Sequence, residues 1–145
     1  MVNERERILI VDDEAAIRKL LRQKLSRQGY HCEEADGPEH ALAKMRANPA
    51  ELIMLDMKMP GKSGIDLLLE LKANYPAAAV IMATAVAEVS IAIQCMKQGA
   101  DDYICKPFNL DEVALSVEKT LQKRRLELQI KEYQEHLQRK VDEQT

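Results

Sequence analysis

Five short apolar runs alternate with five helical segments along this 145-residue chain, and this alternation restricts the possible folds most strongly. The apolar runs, which we predict to be strands, cover residues 7–11, 30–35, 52–55, 78–83 and 102–105. The predicted helices cover 15–28, 39–46, 64–73, 87–98 and a last segment from residue 110 to about residue 142. Strict alternation of this kind favours parallel strands joined by right-handed crossovers, with helices on both faces. We therefore predict a doubly wound, five-stranded parallel α/β sheet.

The composition is that of a folded protein without a membrane or nucleic-acid-binding segment. Hydrophobic residues make up 46% of the chain and charged residues 31%, and the net charge is only −3. No apolar run approaches the roughly 20 residues of a membrane span, and the first residues lack the apolar segment of a signal peptide. We therefore expect a cytoplasmic protein in which Cys32, Cys95 and Cys105 are free thiols.

A residue whose side chain can react or bind a ligand stands at the end of four of the five predicted strands. Asp12 and Asp13 follow the first strand and Asp56 the third, whereas Thr84 follows the fourth and Lys106 the fifth. The carboxyl ends of parallel strands lie along one edge of the sheet, which is where open α/β sheets bind ligands. The sequence therefore predicts one site that contains three carboxylates, a hydroxyl and an ammonium group.

This combination of groups suits phosphoryl transfer. Crowded carboxylates repel one another, and a divalent cation such as Mg²⁺, which prefers oxygen ligands, relieves the repulsion. Asp56 is then a candidate nucleophile toward phosphorus, and Thr84 and Lys106 are candidate donors to the phosphoryl oxygens. Each residue alone has a simpler explanation, such as a helix cap or a turn. The agreement of all four strand ends favours a functional site.

Four segments together resemble the receiver domain of bacterial two-component response regulators. They are IVDDE at 10–14, LDMKMPG at 55–61, ATA at 83–85 and GADDYICKPF at 99–108. The resemblance covers residues 6–120 and implies the flavodoxin-like strand order 2-1-3-4-5. It implies that Asp56 is the phosphoacceptor, that Thr84 and Lys106 bind the phosphoryl group, and that the Lys106–Pro107 peptide bond is cis. The implied donor is the phosphohistidine of a sensor histidine kinase or of a phosphotransfer protein.

The resemblance also implies a set of magnesium ligands. Asp13, Asp56 and the backbone carbonyl of Lys58 would bind Mg²⁺ directly, and Asp12 would act through a water molecule. Lys58 and Val86 are less typical of the family, because they place a cation and an apolar side chain near the cleft. We expect both residues to influence the lifetime of the phosphorylated state, including its self-catalysed loss.

The implied signalling switch involves Thr84 and Tyr103. In the family, the threonine moves toward the phosphoryl group and an aromatic residue on the fifth strand rotates inward behind it. The surface formed by the fourth helix, the fifth strand and the fifth helix then changes. An ordinary half-buried strand tyrosine is the alternative explanation for Tyr103.

The last helical segment is too long to serve the domain alone. Its two apolar stripes are out of phase near Arg124 and Arg125. The first stripe contains Leu110, Ala114, Val117 and Leu121, and the second contains Leu126, Ile130, Tyr133 and Leu137. We predict that residues 121–145 form a coiled-coil linker that mediates homodimerisation and leads to an output domain absent from this sequence. A solvated helix that frays is the alternative.

The segment from residue 132 to residue 145 is similar to linkers that precede HD-GYP phosphodiesterase domains. It is also compatible with linkers to other signalling outputs and to AAA+ transcription-activating outputs. Two alternatives to phosphoacceptor signalling also remain open: an interaction module that keeps the fold without phosphorylation, and a Mg²⁺-dependent phosphatase.

Overall fold

The computed structural model describes residues 6–144, apart from the side chains of Val86 and Gln144, and contains one parallel sheet in the order β2-β1-β3-β4-β5. The strands are β1 (Arg7–Val11), β2 (His31–Ala35), β3 (Leu52–Asp56), β4 (Ala79–Ala85) and β5 (Asp102–Lys106). The helices are α1 (Ala15–Arg27), α2 (Pro38–Ala47), α3 (Gly64–Asn74), α4 (Val89–Lys97) and α5 (Leu110–Gln144). A 3₁₀ turn, Val86–Glu88, connects β4 to α4. The predicted fold class and strand order are confirmed.

Three strands extend further than the sequence predicted. Asp56, Thr84 and Lys106 lie within β3, β4 and β5, and not just after them. The reason is that the ladder continues to the cleft, where Asp56 pairs with Ala83 and Lys106 pairs with Ala85. These three side chains are therefore held by strand hydrogen bonding and not by loops.

The sheet separates two hydrophobic cores. Alternate strand residues point to opposite faces, so Leu9 and Ile53 belong to one core and Ile8 and Leu52 to the other. Buried residues of α2, α3 and α4 complete the first core, and those of α1 and α5 complete the second. The three strands at the centre of the sheet, β1, β3 and β4, are the nearly uniformly apolar ones, as expected for strands covered on both faces.

Gly64 fixes the loop between β3 and α3 close to the end of β3. A Cβ atom at this position would lie only 2.7 Å from the Cα atom of Met57, which is a backbone atom that cannot move aside easily. The Gly64 N–H donates to the Met57 carbonyl at 3.2 Å, and the Ser63 hydroxyl caps α3 by accepting from the Asp66 N–H. The loop that carries Lys58 is thereby held against the strand that carries Asp56.

Helix α5 changes character along its length without an interruption. Val113, Val117 and Leu121 are fully buried against the sheet, whereas the large apolar residues from Leu126 onward are exposed. At the transition, Arg124 Nε donates to the Ala77 carbonyl at 2.6 Å, and Arg125 lies 3.4 Å from Glu6. The predicted phase break in the apolar stripes is therefore the point at which α5 leaves the core. Within residues 6–144, no helix is long and apolar enough to cross a membrane.

Two leucine substitutions test where the folded domain ends. Leu121 is completely buried and Leu126 is 52% exposed. We expect Leu121→Ala to lower the free energy of unfolding by about 2–5 kcal/mol, the usual range for core leucines. Leu126→Ala should change it by less than about 0.5 kcal/mol in a monomeric sample, as for other exposed positions. Denaturant unfolding measures both, and equal losses would place the domain boundary beyond Leu126.

Candidate functional site

Polar side chains from three strands and one loop meet at the carboxyl edge of the sheet. Lys106 Nζ lies 3.0 Å from Asp12 Oδ2 and 3.4 Å from Asp56 Oδ1. Asp12 and Asp56 are nearly inaccessible, with 2% and 5% of their surfaces exposed, whereas Asp13 is exposed. Carboxylate oxygens of Asp12, Asp13 and Asp56 lie within 4.8 Å of one another. The residues predicted to form an acidic site therefore do come together.

Asp12 is held by both its backbone and its side chain. Its N–H donates to the Ala35 carbonyl at 3.1 Å, which joins the end of β1 to the end of β2. Its Oδ1 atom accepts from the Glu14 N–H at 2.9 Å, and its Oδ2 atom accepts from Lys106. The Asp12 carboxylate is consequently fixed toward the cleft.

The contacts of Asp56 fall on one of its two oxygens. The Lys58 N–H donates to Asp56 Oδ1 at 3.3 Å, and Lys106 approaches the same atom. The Lys58 side chain turns outward and forms an ion pair with Glu88 on the 3₁₀ turn. The backbone of Lys58 therefore belongs to the site, whereas its ammonium group joins the loop after β3 to the 3₁₀ turn after β4.

Charge and burial shift the pKa values of the central pair. Burial and the neighbouring charge of Asp12 raise the pKa of Asp56, and they outweigh the opposing effects of Lys106 and of the Lys58 N–H. Burial lowers the pKa of Lys106, but hydrogen bonds and charge interactions with Asp12 and Asp56 outweigh it, so the pKa is raised. Lys106 is therefore a stable cation, and ionised Asp56 is in an unfavourable environment that a second cation would relieve.

Thr84 and Tyr103 lie on the face of the sheet that α4 covers. Thr84 is buried, and its hydroxyl donates to the Ala85 carbonyl at 3.2 Å and not to Asp56. Tyr103 is half-buried, is paired with Met82 and packs against the same core. Because Thr84 lies two residues beyond Met82, strand alternation places Thr84 and Tyr103 on one face.

The Lys106–Pro107 peptide bond is cis, as the family resemblance implied. Sequence reasoning missed Glu88, which lines the cleft together with Glu14. Nothing in the sequence around Glu88 signals its contact with Lys58, because the contact depends on how the 3₁₀ turn folds back.

The raised pKa of Asp56 predicts how stability depends on pH. The folded chain binds the Asp56 proton more tightly than the unfolded chain does. The free energy of unfolding therefore falls as the pH rises from the ordinary pKa of 3.8 through the raised pKa of the folded chain, because Asp56 then becomes ionised. Asp56→Asn removes this charge and leaves Lys106 its contact with Asp12. In a chelating buffer near neutral pH, we expect Asp56→Asn to raise the melting temperature, with about 1 kcal/mol corresponding to roughly 4 °C.

The difference between wild type and Asp56→Asn should disappear below pH 3.8, where both side chains are neutral. The matched control is Asp66→Asn, because Asp66 is an exposed acid in the first turn of α3. Its loss should be neutral or slightly destabilising, since acids favour helix N-termini. A melting temperature that falls in Asp56→Asn near neutral pH would contradict the expectation.

The response regulator receiver domain family matches residues 8–118 of the chain. The chain is 42% identical over 117 residues to the transcriptional regulatory protein ResD of Bacillus subtilis, covering 81% of this chain and 48% of ResD. It is 41% identical over 118 residues to the phosphate regulon transcriptional regulatory protein PhoB of Pseudomonas aeruginosa, covering 80% of this chain and 52% of PhoB. The chain thus spans about half the length of these two curated relatives.

Solved structures that resemble this chain are also receiver domains of response regulators. The receiver domain of NtrX from Brucella abortus superposes with a TM-score of 0.77 at 34% identity, covering 79% of this chain and 98% of that domain. A CheY-like response regulator receiver domain protein from Methanospirillum hungatei gives a TM-score of 0.81 at 32% identity, covering 86% of this chain and 99% of that one. Both neighbours are receiver domains that lie almost completely within the matched region. The chain belongs to the two-component response regulator family, as one of its receiver domains.

Proposed function

We propose that Asp56 is the residue on which this receiver domain accepts a phosphoryl group from the phosphohistidine of a sensor histidine kinase or phosphotransfer protein. The observation that carries the proposal is the position of Lys106 Nζ, within 3.4 Å of both Asp12 and Asp56 beside a third carboxylate. Buried like charges around one ammonium group form an arrangement that a cation and a phosphoryl group would complete. The family assignment supports the same reaction.

The transfer itself requires little covalent chemistry from the protein. A carboxylate oxygen of Asp56 attacks phosphorus, the P–N bond of the phosphohistidine breaks, and its electron pair returns to the imidazole ring. Lys106 is already 3.4 Å from Asp56, so it needs only a small movement to donate to a phosphoryl oxygen. Thr84 must turn its hydroxyl from the Ala85 carbonyl to do the same. The product is an acyl phosphate on Asp56.

The oxygen atoms of the site fit a Mg²⁺ ion. We infer that Asp13, Asp56 and the Lys58 carbonyl would bind it directly, and that Asp12 would bind it through water. Carboxylates and a carbonyl are the ligands that Mg²⁺ prefers, and the exposed Asp13 leaves room for water ligands. When bound, Mg²⁺ supplies positive charge that neutralises the phosphoryl oxygens during transfer. The chain's residues orient the donor and the acceptor around it.

Acetyl phosphate with Mg²⁺ tests phosphoryl uptake at Asp56. Intact mass spectrometry should show the mass of one phosphoryl group added to the wild-type chain and none added to Asp56→Asn. Asp66→Asn, which removes an exposed acid outside the site, should behave as wild type. Lys106→Met should slow uptake about a hundredfold, the lower end of the range for removing one hydrogen-bond donor that stabilises transition-state charge.

Each alternative predicts a different result in this experiment. An interaction module takes up no phosphoryl group, and a phosphatase releases phosphate continuously from external phosphomonoesters. Unchanged uptake in Asp56→Asn would refute the proposed acceptor. The decay of the label in the same samples reports self-catalysed dephosphorylation, which we propose depends on Lys58 and Val86, although the Val86 side chain lies outside the described structure. An unchanged decay rate in the Lys58→Asn, Val86→Lys double variant would contradict that dependence.

We infer that residues 6–120 act as the receiver and that residues 121–145 form a dimerising coiled-coil linker. The support is an exposed apolar stripe on α5 at positions 126, 130, 133 and 137, where four large side chains are 44–63% exposed. A solvent-exposed stripe with coiled-coil spacing is stabilised by a second copy of the same helix. A cytoplasmic location and any output beyond residue 145 remain predictions from the sequence.

Sedimentation with and without beryllofluoride tests both the dimer and the proposed switch. Ile130→Asp places a charge on the stripe and should give a monomer in both states. In the wild-type chain, we expect beryllofluoride to increase the fraction of dimer. Tyr103→Ala leaves the stripe intact, so we expect it to keep the dimer fraction of the unmodified chain but not to show this increase. A dimer that persists in Ile130→Asp would contradict the stripe as the interface. If beryllofluoride increased the dimer fraction of Tyr103→Ala as much as that of wild type, this result would contradict the role of Tyr103.

A further inference from the structure

Arg18 on α1 contacts the main chain of Asp12, one of the acidic residues of the site. Its Nη1 atom donates to the Asp12 main-chain carbonyl at 2.6 Å, and its Nε atom donates to Glu34 Oε1 at 3.1 Å. Only 15% of the Arg18 side chain is exposed. One planar guanidinium group is therefore shared between a carboxylate of β2 and the loop that follows β1.

These contacts attach both backbone polar groups of Asp12 to β2. The Asp12 N–H donates directly to the Ala35 carbonyl at 3.1 Å, and the Asp12 carbonyl is held through Arg18 by Glu34, the residue before Ala35. Glu34 is itself part of the ladder, since it pairs with Ile10 of β1. The Glu34 carboxylate that holds Arg18 is therefore carried by a residue of the sheet.

The carbonyl that Arg18 holds belongs to the peptide unit that joins Asp12 to Asp13. The plane of this unit sets the direction in which the chain continues to Asp13. Within residues 6–144, the Asp13 carboxylate forms no hydrogen bond or ion pair, so its position depends on the backbone that carries it. A tilt of this peptide would change the position of the Asp13 carboxylate relative to Asp56.

We propose that Arg18, oriented by Glu34, is a positioning residue that holds Asp12 and Asp13 in place as ligands of a divalent cation. The proposal rests on the proposed function, in which these carboxylates bind Mg²⁺. The contacts need arginine, because two nitrogen atoms in a fixed fork reach two different acceptors. Lysine has a single nitrogen on a flexible stem and cannot reproduce this geometry.

Electrostatics alone predicts the opposite effect of Arg18. A positive charge close to an acidic site weakens the binding of a second cation, so its removal should tighten Mg²⁺ binding. Loss of positioning should instead weaken Mg²⁺ binding. The sign of the change therefore separates the two roles.

Arg22 provides a matched control. It lies one helical turn beyond Arg18 and contacts the other oxygen of the same carboxylate, with Nη1 3.0 Å from Glu34 Oε2. Its side chain is 53% exposed, and within residues 6–144 it forms no hydrogen bond or ion pair with Asp12. Arg18→Gln and Arg22→Gln remove the same charge from the same partner, but only Arg18→Gln releases the Asp12 carbonyl.

The test is calorimetric titration of Mg²⁺ into the whole chain at constant ionic strength. We expect Arg18→Gln to weaken binding about tenfold, the lower end of the range for residues that orient metal ligands. Arg18→Lys keeps the charge and should also weaken binding, whereas Arg22→Gln should bind Mg²⁺ as tightly as wild type or slightly tighter. Phosphoryl uptake in Arg18→Gln should recover at saturating Mg²⁺, because Asp56 and Lys106 are intact.

Several results would overturn the proposal. Mg²⁺ affinity in Arg18→Gln equal to or tighter than wild type would show that Arg18 acts only as a charge, and an equal loss in Arg22→Gln would show a general effect on α1. Melting temperatures in a chelating buffer identify a variant that does not fold. If Arg18→Gln does not fold, Arg18→Lys, which keeps the charge but cannot reach both acceptors, should still weaken Mg²⁺ binding. A wild-type chain without Mg²⁺ affinity would overturn the proposed function and this inference together, whereas normal wild-type binding with an unaffected Arg18→Gln would overturn this inference alone.

Discussion

The position of the Lys106 ammonium between two buried carboxylates is the interaction on which the rest of the site depends. Asp12 and Asp56 are almost inaccessible to water, and their negative charges repel each other across the edge of the sheet. Lys106 lies within 3.4 Å of both and compensates part of this repulsion. The compensation is incomplete, because the pKa of Asp56 remains raised. An excess of negative charge at a fixed position is the condition that favours binding of a divalent cation.

The fold creates this condition through the order of its strands. β1 and β3 are neighbours in the strand order, so Asp12 and Asp56 meet at the carboxyl ends of two adjacent inner strands. Lys106 reaches them from the outer strand β5. The first residue of α5 is only four positions after Lys106, and this helix packs against the core as far as Leu121. A movement of Lys106 toward a phosphoryl group would therefore occur four residues before the start of α5.

Much of the site was predictable because each residue stands at the end of an apolar run. The parallel fold follows from the alternation of strands and helices, and a parallel fold brings Asp12, Asp56 and Lys106 to one edge without further information. The strand limits were less predictable, since Asp56 and Lys106 themselves continue the hydrogen-bonded ladder. A polar residue in an apolar strand resembles a strand end when only the sequence is considered.

The contacts that were not predictable join residues through side chains with no local pattern. Arg18 is one of several basic residues on α1, and only the three-dimensional structure separates it from the more exposed Arg22. The ion pair between Lys58 and Glu88 likewise depends on the course of a 3₁₀ turn. Periodicity reports which face of an element is buried, but it does not report which long side chain finds a specific acceptor.

A crystal structure of the chain with Mg²⁺ and beryllofluoride would show whether Asp56 is the phosphoacceptor. We expect beryllofluoride bonded to a carboxylate oxygen of Asp56, with Lys106 and the Thr84 hydroxyl in contact with its fluorine atoms. We also expect a metal ion about 2.1 Å from oxygens of Asp13 and Asp56. Beryllofluoride bound to another carboxylate, or a metal ion located away from these aspartates, would contradict the assignment of Asp56.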